Sequence, residues 1–345
     1  MSLLLFLSFF IFLLFNIAEP STHHRGRHFK HDVVHQSIKI AKEMMTKASN
    51  NQVLDYKNRL AVMFVSSHGI DANSTMYLKC SLLKLQSNLL PTTPADIFLW
   101  IHSNSTYVIP KWLSGLKNTY IMPIHNDVWN IPSLSNDSTW VGRDAFELDY
   151  YLTGRWRLTF SLDFAHQMGY KYHLQLDDDT FMNSKIGYNF IHRMSSQNLK
   201  IAVPHQIWQD TPEMLAGLAE LTRYWLYITK FTPVGPLYEH LTPKSITGLT
   251  TVSWDRKYHP GYFTIIDLDF WFGSDVQDFL VTVLRTGRDV EGKWQEQGVI
   301  NMIRLLFIPE SQVFIIQVTD DIRHDRYIKS NYENWCRALV DSSVP

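Results

Sequence analysis

The chain has 345 residues, and 45% of them are hydrophobic, which is enough for one large or two small domains with a substantial core. Its 32 lysines and arginines balance 33 aspartates and glutamates, so the formal net charge is -1. This balance excludes a general nucleic-acid binder that relies on a basic surface, and any recognition of phosphate must depend on a few local side chains.

The first 20 residues are predicted to be a signal peptide or a signal anchor. Residues 2–18 are almost continuously apolar, a length between the core of a secretory signal and a full membrane span. Arg25, Arg27 and Lys30 follow this segment and no lysine or arginine precedes it, so the charges do not support an anchor with its later flank in the lumen. We expect a protein of the Golgi or ER lumen, either membrane-anchored or secreted.

Sequons and cysteines agree with the secretory pathway. Asn-X-Ser/Thr tripeptides begin at Asn73, Asn104 and Asn136. Cys80 and Cys336 are the only cysteines, too few for a disulfide scaffold or a cysteine-ligated zinc site. In an oxidising lumen they would pair, and the alternative of two buried thiols is about as good.

Residues 21–58 are predicted to form a stem, and residues 59–345 the globular domain. The stem begins with a polar, histidine-rich stretch and continues as a helix over 33–48. Apolar side chains near helical spacing support this helix: Val34, Ile38, Ile40 and Met44.

In the domain, short apolar runs alternate with helical segments. Strands are predicted at 59–69, 96–102, 120–123, 172–176 and 200–204, and helices at 77–86, 158–168 and 213–230. This alternation predicts an α/β domain with a mostly parallel sheet that is covered on both faces.

Three consecutive acids, Asp177, Asp178 and Asp179, follow the predicted strand 172–176. Ligands bind at the carboxyl ends of strands in open α/β sheets, and clustered carboxylates there suit a divalent ion bound to a sugar-nucleotide diphosphate. A turn rich in aspartate explains the triplet about equally well, because aspartate bonds to its own backbone in turns.

Two later segments carry further candidate groups. Asp267 and Asp269 lie two apart at the end of an apolar run, so they share one face if the segment is extended. They either bind an acceptor hydroxyl or cap the helix predicted near Ser274, and capping is the better interpretation for at least one of them. His324 lies among acids near the C-terminus, and an imidazole with oxygen ligands suits Mn²⁺.

Several motifs together resemble the fungal-type Golgi α-1,2-mannosyltransferases, glycosyltransferase family 15. The order and approximate spacing of the family are kept at 263–271, 285–287, Trp294, 306–309 and 320–324. The resemblance extends from about residue 60 to about residue 327. It implies a single GT-A-like domain with a Rossmann-like nucleotide-sugar site, GDP-mannose as donor, Mn²⁺ or another divalent cation, a glycan or glycoprotein acceptor, and retention at the anomeric carbon.

The resemblance also assigns roles to individual residues. Asp177 takes the place of the family's metal-binding glutamate, Asp179 that of the last acid of the same motif, and His324 that of the second metal ligand. Asp178 and Asp179 are expected to contact the nucleotide sugar, with Asp178 alternatively serving only the turn. Arg155 lies near an arginine that faces the nucleotide in the family, and a surface salt bridge is its alternative role.

One departure from the family affects catalysis. Thr264 stands where the family has its proposed glutamate nucleophile, and threonine cannot supply a carboxylate for a glycosyl-enzyme intermediate. Either GDP departs and the acceptor attacks on the same face, or Asp267 approaches the sugar instead. Thr264, Asp267 and Asp269 are therefore the candidate catalytic positions.

Three alternative functions remain open at this point. The acid triplet also resembles the inverting β-1,3-galactosyltransferases and fringe-type enzymes, which need a separate carboxylate base, but no later motif of that group is present. Thr264 also fits a catalytically inactive relative that binds a glycan or a nucleotide. A glycoside hydrolase ranks lowest.

Overall fold

The coordinates are a computed structural model of the whole chain. The structure describes residues 23–49, 54–66, 72–102, 111–114, 116–129, 148–210, 215–246, 249–290, 294–317, 322–324 and 336. The predicted signal segment and the sequons at Asn104 and Asn136 lie outside these ranges. Within them, none of the helices combines the length and the apolar character that a membrane span requires.

A seven-stranded sheet forms the centre of the domain, in the order β12-β6-β11-β4-β1-β2-β3. Its strands are β1 (Leu60–Ser66), β2 (Ala95–His102), β3 (Thr119–Ile124), β4 (Tyr172–Leu176), β6 (Ile201–Pro204), β11 (Phe263–Asp267) and β12 (Val313–Ile316). β11 is antiparallel to both neighbours, β4 and β6, and the other pairs are parallel. The predicted α/β class with a mostly parallel sheet is confirmed.

Helices cover both faces of this sheet. They are α1 (His23–Ala48), α2 (Ala72–Asn88), α3 (Lys111–Ser114), α4 (Leu148–Leu158), α5 (Phe160–Met168), α6 (Phe190–Ser196), α7 (Leu218–Thr229), α8 (Leu237–His240), α9 (Leu268–Trp271), α10 (Ser274–Arg285) and α11 (Glu296–Phe307). Alternate residues of β1 point to opposite faces: Met63 packs into the cluster with α5 and α11, and Phe64 into the cluster with α2 and α6. The near-continuous apolar sequence of the strands follows from this two-sided burial.

Three short antiparallel pairs lie outside the main sheet. They are β5 (Thr180–Met182) with β13 (Ile322–His324), β7 (Trp208–Gln209) with β10 (Lys257–Tyr258), and β8 (Leu241–Ile246) with β9 (Leu249–Trp254). The first two pairs adjoin the carboxyl edge of the main sheet, where the acid triplet lies.

The helix predicted within the stem is part of the folded body. α1 begins earlier than predicted, at His23, and its side chains Val34, Ile38, Ala41 and Met45 are buried in the main core cluster. It packs chiefly against α5 and β3. This part of the predicted stem therefore contributes to the core instead of standing apart from it.

Cys80 and Cys336 form a disulfide, the first of the two alternatives left by the sequence. Both cysteines are fully buried, and the bond joins α2 to the C-terminal part of the chain. It spans 256 residues of sequence.

Candidate active site

The acid triplet forms a tight turn at the carboxyl end of β4. The Asp177 backbone N–H donates to the Tyr262 carbonyl at 3.2 Å, and the Thr180 N–H donates to the Asp177 carbonyl at 3.1 Å. The Thr180 hydroxyl donates to the same Tyr262 carbonyl at 3.2 Å. These bonds fix the turn against the start of β11, while Asp177, Asp178 and Asp179 all stay partly exposed. The backbone of the acid turn is thus held in place.

The C-terminal histidine motif is brought beside this turn. β13 pairs with β5 so that His324 stands opposite Thr180, the residue that follows the triplet. On the other side, the Ser81 hydroxyl of α2 donates to the Thr180 carbonyl at 2.6 Å. The backbones of the two predicted metal-binding segments therefore meet, although 145 residues separate Asp179 from His324 in the sequence (324 - 179).

The donor chemistry of these residues fits a divalent cation. Two carboxylates on one turn, with a histidine-bearing strand beside it, offer the hard oxygen and imidazole ligands that Mn²⁺ accepts. Among the side chains that the structure describes, no group of three or more acids, histidines and cysteines is arranged as a complete metal site. The assignment of Asp177, Asp179 and His324 as ligands thus stays a prediction.

A largely buried arginine on α4 binds the first acid of the triplet. Arg157 Nη2 donates to Asp177 Oδ1 at 2.5 Å, and Arg157 Nη1 donates to Glu296 Oε1 at 3.2 Å. Glu296 is the first residue of α11. Gly154 lies against this carboxylate, since a β-carbon there would lie 2.9 Å from Glu296 Oε2 and would displace it. Arg157 thus links the acid turn to a second carboxylate beneath it.

Burial and neighbouring charges shift the pKa values of Arg157 and Glu296. Burial disfavours the charged guanidinium, but the carboxylates of Asp177 and Glu296 more than offset it and raise the pKa of Arg157. Burial raises the pKa of Glu296, and Asp177 adds to the rise while Arg157 opposes it. A carboxyl group with a raised pKa close to a ligand-binding edge is a candidate acid or base.

Thr264 lies on the same sheet face as this pair, deeper in the protein. It is 2% exposed, pairs in register with Gln175, and lines a cavity of about 10 Å³, room for roughly one water molecule. Polar side chains line this cavity too: His259, which precedes β11, and Gln297, Asn301 and Arg304 of α11. The Thr264 hydroxyl is therefore buried next to a small cavity with a polar lining.

Asp267 and Asp269 lie at the opposite edge of the sheet. β11 is antiparallel to β4, and Asp267 pairs with Tyr172 at the beginning of β4, whereas the acid turn follows its end. Asp267 caps α9 by accepting from the Phe270 N–H at 3.2 Å, and it pairs with Lys200 at 3.2 Å. Asp269 is exposed. Asp267 is therefore a helix cap, but of α9 and not of the helix predicted near Ser274, which is α10 and has Gly273 at its N-cap. Neither acid is brought near Asp177.

Arg155 forms a partly buried ion pair, and its expected contact with the nucleotide stays a prediction. Its Nη1 lies 2.7 Å from Asp289 Oδ2, and that carboxylate is almost fully buried. Arg155 and Arg157 are two residues apart on α4, so they point in different directions. Arg157, and not Arg155, forms the ion pair with Asp177 of the acid triplet.

Arg157 and Glu296 are thus the residues that the sequence interpretation missed. The Gly-Arg-Trp-Arg run of 154–157 shows both arginines, and only the chain fold decides which one turns inward. Glu296 follows the conspicuous Trp294, but a single glutamate at a helix start has an ordinary dipole explanation. Trp294 itself and Trp271 are buried, as expected for core residues.

The fold and the turn define a GT-A-like domain, a class of glycosyltransferase fold. Core-mannan synthase A (CmsA/Ktr4) from Aspergillus fumigatus, solved in an Mn/GDP form, has a similar structure with a TM-score of 0.64 at 15% identity, covering 79% of this chain and 76% of that one. The mannosyltransferase Ktr4p from S. cerevisiae superposes with a TM-score of 0.61 at 14% identity, covering 86% and 80%. Its complex with GDP gives 0.59 over the same shares.

These likenesses confirm the GT-A-like fold that the family resemblance implied. No family model and no curated protein sequence matches the chain. At 14 to 15% identity the similarity extends to the fold, and the chemistry has to be argued from the chain's own residues.

Proposed function

We propose that the protein is a metal-dependent glycosyltransferase that transfers mannose from GDP-mannose to a hydroxyl of a glycan or glycoprotein. The observation that carries this proposal is the fixed acid turn 177–179 with β13 hydrogen-bonded beside it, at the carboxyl edge of the sheet. A similar fold occurs in core-mannan synthase A from Aspergillus fumigatus, solved in an Mn/GDP form, and in the mannosyltransferase Ktr4p from S. cerevisiae, solved in complex with GDP. The nucleotide sugar and the acceptor glycan are the proposed partners, with no nucleic acid.

In this proposal, Asp177, Asp179 and His324 hold Mn²⁺ or another divalent cation. When bound, such a cation neutralises the charge that develops on the leaving diphosphate. Arg157 keeps the Asp177 carboxylate oriented toward the edge by holding one of its oxygens from below. Asp178, partly exposed on the same turn, faces the nucleotide sugar.

The positions of the other acids favour retention by attack on the same face as the leaving group. Thr264 offers no carboxylate, and Asp267 is occupied as a helix cap at the far edge of the sheet. The chain's own residues then bind and orient the two substrates instead of forming a covalent intermediate with the sugar.

The cellular location is proposed from the N-terminal sequence and from the disulfide. The apolar segment 2–18 would direct the chain to the ER and Golgi lumen, as an anchor or as a cleaved signal. The buried disulfide between Cys80 and Cys336 supports an oxidising compartment.

A thermal-shift panel with GDP-mannose, UDP-galactose, UDP-xylose and UDP-glucose, each with and without Mn²⁺, tests the donor. GDP-mannose with Mn²⁺ is expected to raise the melting temperature most, because a ligand that binds only the native state stabilises it. Stabilisation by a UDP-sugar alone would overturn the mannose assignment. Transfer of radiolabel from GDP-mannose to α-mannobiose then separates an active enzyme from a relative that binds without transferring.

A second candidate is inverting transfer with Glu296 as the base. Glu296 shares the Arg157 guanidinium with Asp177, which connects it to the acid turn, and burial raises its pKa in the direction that favours a base. The anomeric proton signal of the first-formed product, followed by NMR, distinguishes the two mechanisms. An α-linked product from the α-linked donor means retention, and a β-linked product means that Glu296 is the better candidate.

A further inference from the structure

Two large apolar side chains are exposed at the same sheet edge as the acid turn. β4 and β6 are both antiparallel to β11, which lies between them, so they run in the same direction. Ile265 of β11 pairs with Leu174 of β4 and with Ala202 of β6, so Leu174 and Ala202 lie at the same height in the sheet. Continuing this register by three residues places residue 205 level with Asp177. Ile207 and Trp208 follow immediately, and they are 61% and 39% exposed.

The segment that carries these side chains is held rigidly. β7, which contains Trp208, pairs with β10, and the Gln209 side-chain amide donates to the Asp255 carbonyl at 2.8 Å. Arg256 Nε donates to the Asp210 carbonyl at 3.0 Å. At the other end, His259 Nδ1 lies 2.7 Å from the Pro204 carbonyl. The exposed indole is therefore preorganised, so a ligand would not have to order this loop.

A short chain of contacts connects Trp208 to the acid turn. Its ring lies 6.1 Å from that of Tyr262, centroid to centroid, and 6.4 Å from that of Tyr258. The Tyr262 carbonyl accepts the hydrogen bond from the Asp177 N–H at 3.2 Å. The Tyr262 hydroxyl donates to the side-chain carbonyl of Gln206, two residues before Trp208. One buried tyrosine thus supports both the turn and the exposed segment.

We propose that the exposed part of the Trp208 indole forms a subsite for a pyranose ring of the acceptor glycan. This inference rests on the proposed function and names the site for its second substrate. The apolar C–H face of a hexose packs on an aromatic face, which offers area at little conformational cost.

The location explains why an indole is exposed here. A single exposed apolar side chain is ordinary on a protein surface, but an indole on a rigid segment at the ligand-binding edge offers a contact face to a bound sugar. A sugar that rests on Trp208 lies at the same edge as the acid turn, where the proposed donor would be bound. The acceptor hydroxyl would then be presented to the donor sugar from the β6 side.

Calorimetric titration of the full chain, with GDP and Mn²⁺ present, tests this subsite. The probes are α-mannobiose, lactose and xylobiose, and the variants are Trp208→Ala, Trp208→Phe and the control Tyr227→Ala, an exposed aromatic on α7. We expect one probe to bind the unmodified chain, at least about 10-fold weaker binding by Trp208→Ala, and recovery to within about 3-fold by Trp208→Phe. The donor-induced thermal shift should be unchanged in all three variants.

Equal binding of the sugar by Trp208→Ala and the unmodified chain would overturn the subsite, as would the failure of all three probes to bind. Sugar binding that depends on Trp208 without any transfer from GDP-mannose would leave the subsite standing and refute the proposed function. Transfer from GDP-mannose with an unchanged acceptor KM in Trp208→Ala would support the proposed function and refute the subsite.

Discussion

Arg157 holds Asp177 through a 2.5 Å ion pair, and the same guanidinium lies 3.2 Å from Glu296. The three side chains are mostly buried, so each charge depends on the others for compensation. Asp177 is the acid proposed to bind the metal, and this arrangement fixes one of its oxygens and leaves the carboxylate at the sheet edge. Arg157 is therefore a positioning residue for the proposed metal site.

Replacing Arg157 with lysine should lower the affinity of the protein for Mn²⁺. Arg157→Lys keeps a charge but loses the two-pronged geometry, and we expect Mn²⁺ affinity to fall by about 10–100-fold, as is usual for residues that orient a metal ligand. Titration of Mn²⁺ into the GDP-bound protein measures this. Arg155→Lys is the matched control on the same helix, since its partner is Asp289. An equal loss in both variants would indicate a general effect on α4.

Removing the first acid of the turn should abolish the metal response. Asp177→Asn deletes a charged oxygen ligand, so we expect Mn²⁺-dependent stabilisation by GDP-mannose to disappear and transfer to fall by at least about 100-fold. Asp269→Asn is the control, because this exposed acid lies at the opposite edge of the sheet. If Asp269→Asn lost as much activity as Asp177→Asn, the location of the site would be wrong.

Thr264 should prove dispensable for the chemical step. Its hydroxyl is buried at the small cavity under the sheet and carries no carboxylate. Thr264→Val conserves the shape, and we expect kcat to change by less than about 5-fold, whereas loss of a covalent nucleophile costs several powers of ten. Steady-state kinetics with GDP-mannose and α-mannobiose give the comparison. A fall of about 1000-fold would mean that the hydroxyl contacts the reacting sugar.

The sequence predicted the fold better than it predicted the site. Apolar runs buried on both faces, such as β1, β2 and β4, read directly as strands, because burial imposes the pattern. The site depends on which side chains a folded chain brings together. Asp267 and Asp177 both lie at the ends of apolar strands, but β11 is antiparallel to β4, so the two acids lie at opposite edges of the sheet. The residues of a strand do not show in which direction it runs in the sheet. The choice of Arg157 over Arg155 depends on the same missing orientation.

Reduction of the disulfide should destabilise the protein and loosen the metal site together. The bond between Cys80 and Cys336 anchors the chain beyond β13 to α2, and α2 also contacts the acid turn through Ser81. In Cys80→Ser with Cys336→Ser we expect the unfolding free energy to fall by about 2–5 kcal/mol, with weaker Mn²⁺ binding. Urea denaturation and Mn²⁺ titration measure the two effects. Unchanged Mn²⁺ affinity in the folded double variant would show that β13 stays in place without the bond.

His173 should make the fold sensitive to acid. Its ring is fully buried on β4, and neither ring nitrogen has a hydrogen-bond partner in the described structure. Burial, with a smaller contribution from the Arg157 charge, lowers the pKa of His173 to about 3 from the ordinary 6.5. Between these two pH values the unfolded chain binds a proton that the native chain does not, so the native state loses stability as the pH falls, by up to about 1.4 kcal/mol per pH unit.

His173→Leu removes this titration without breaking a hydrogen bond of the described structure, so its stability should depend less on pH than that of the unmodified chain. Urea denaturation at pH 7.5, 6.5, 5.5 and 4.5 measures both proteins, and the carboxylates common to both cancel in the difference. The free-energy gap should shift in favour of His173→Leu below pH 6.5 and stay constant above it, because both states are then neutral at this position. Exposed His192→Gln on α6 is the control. A constant gap over the whole range would mean that His173 accepts a proton in the native state.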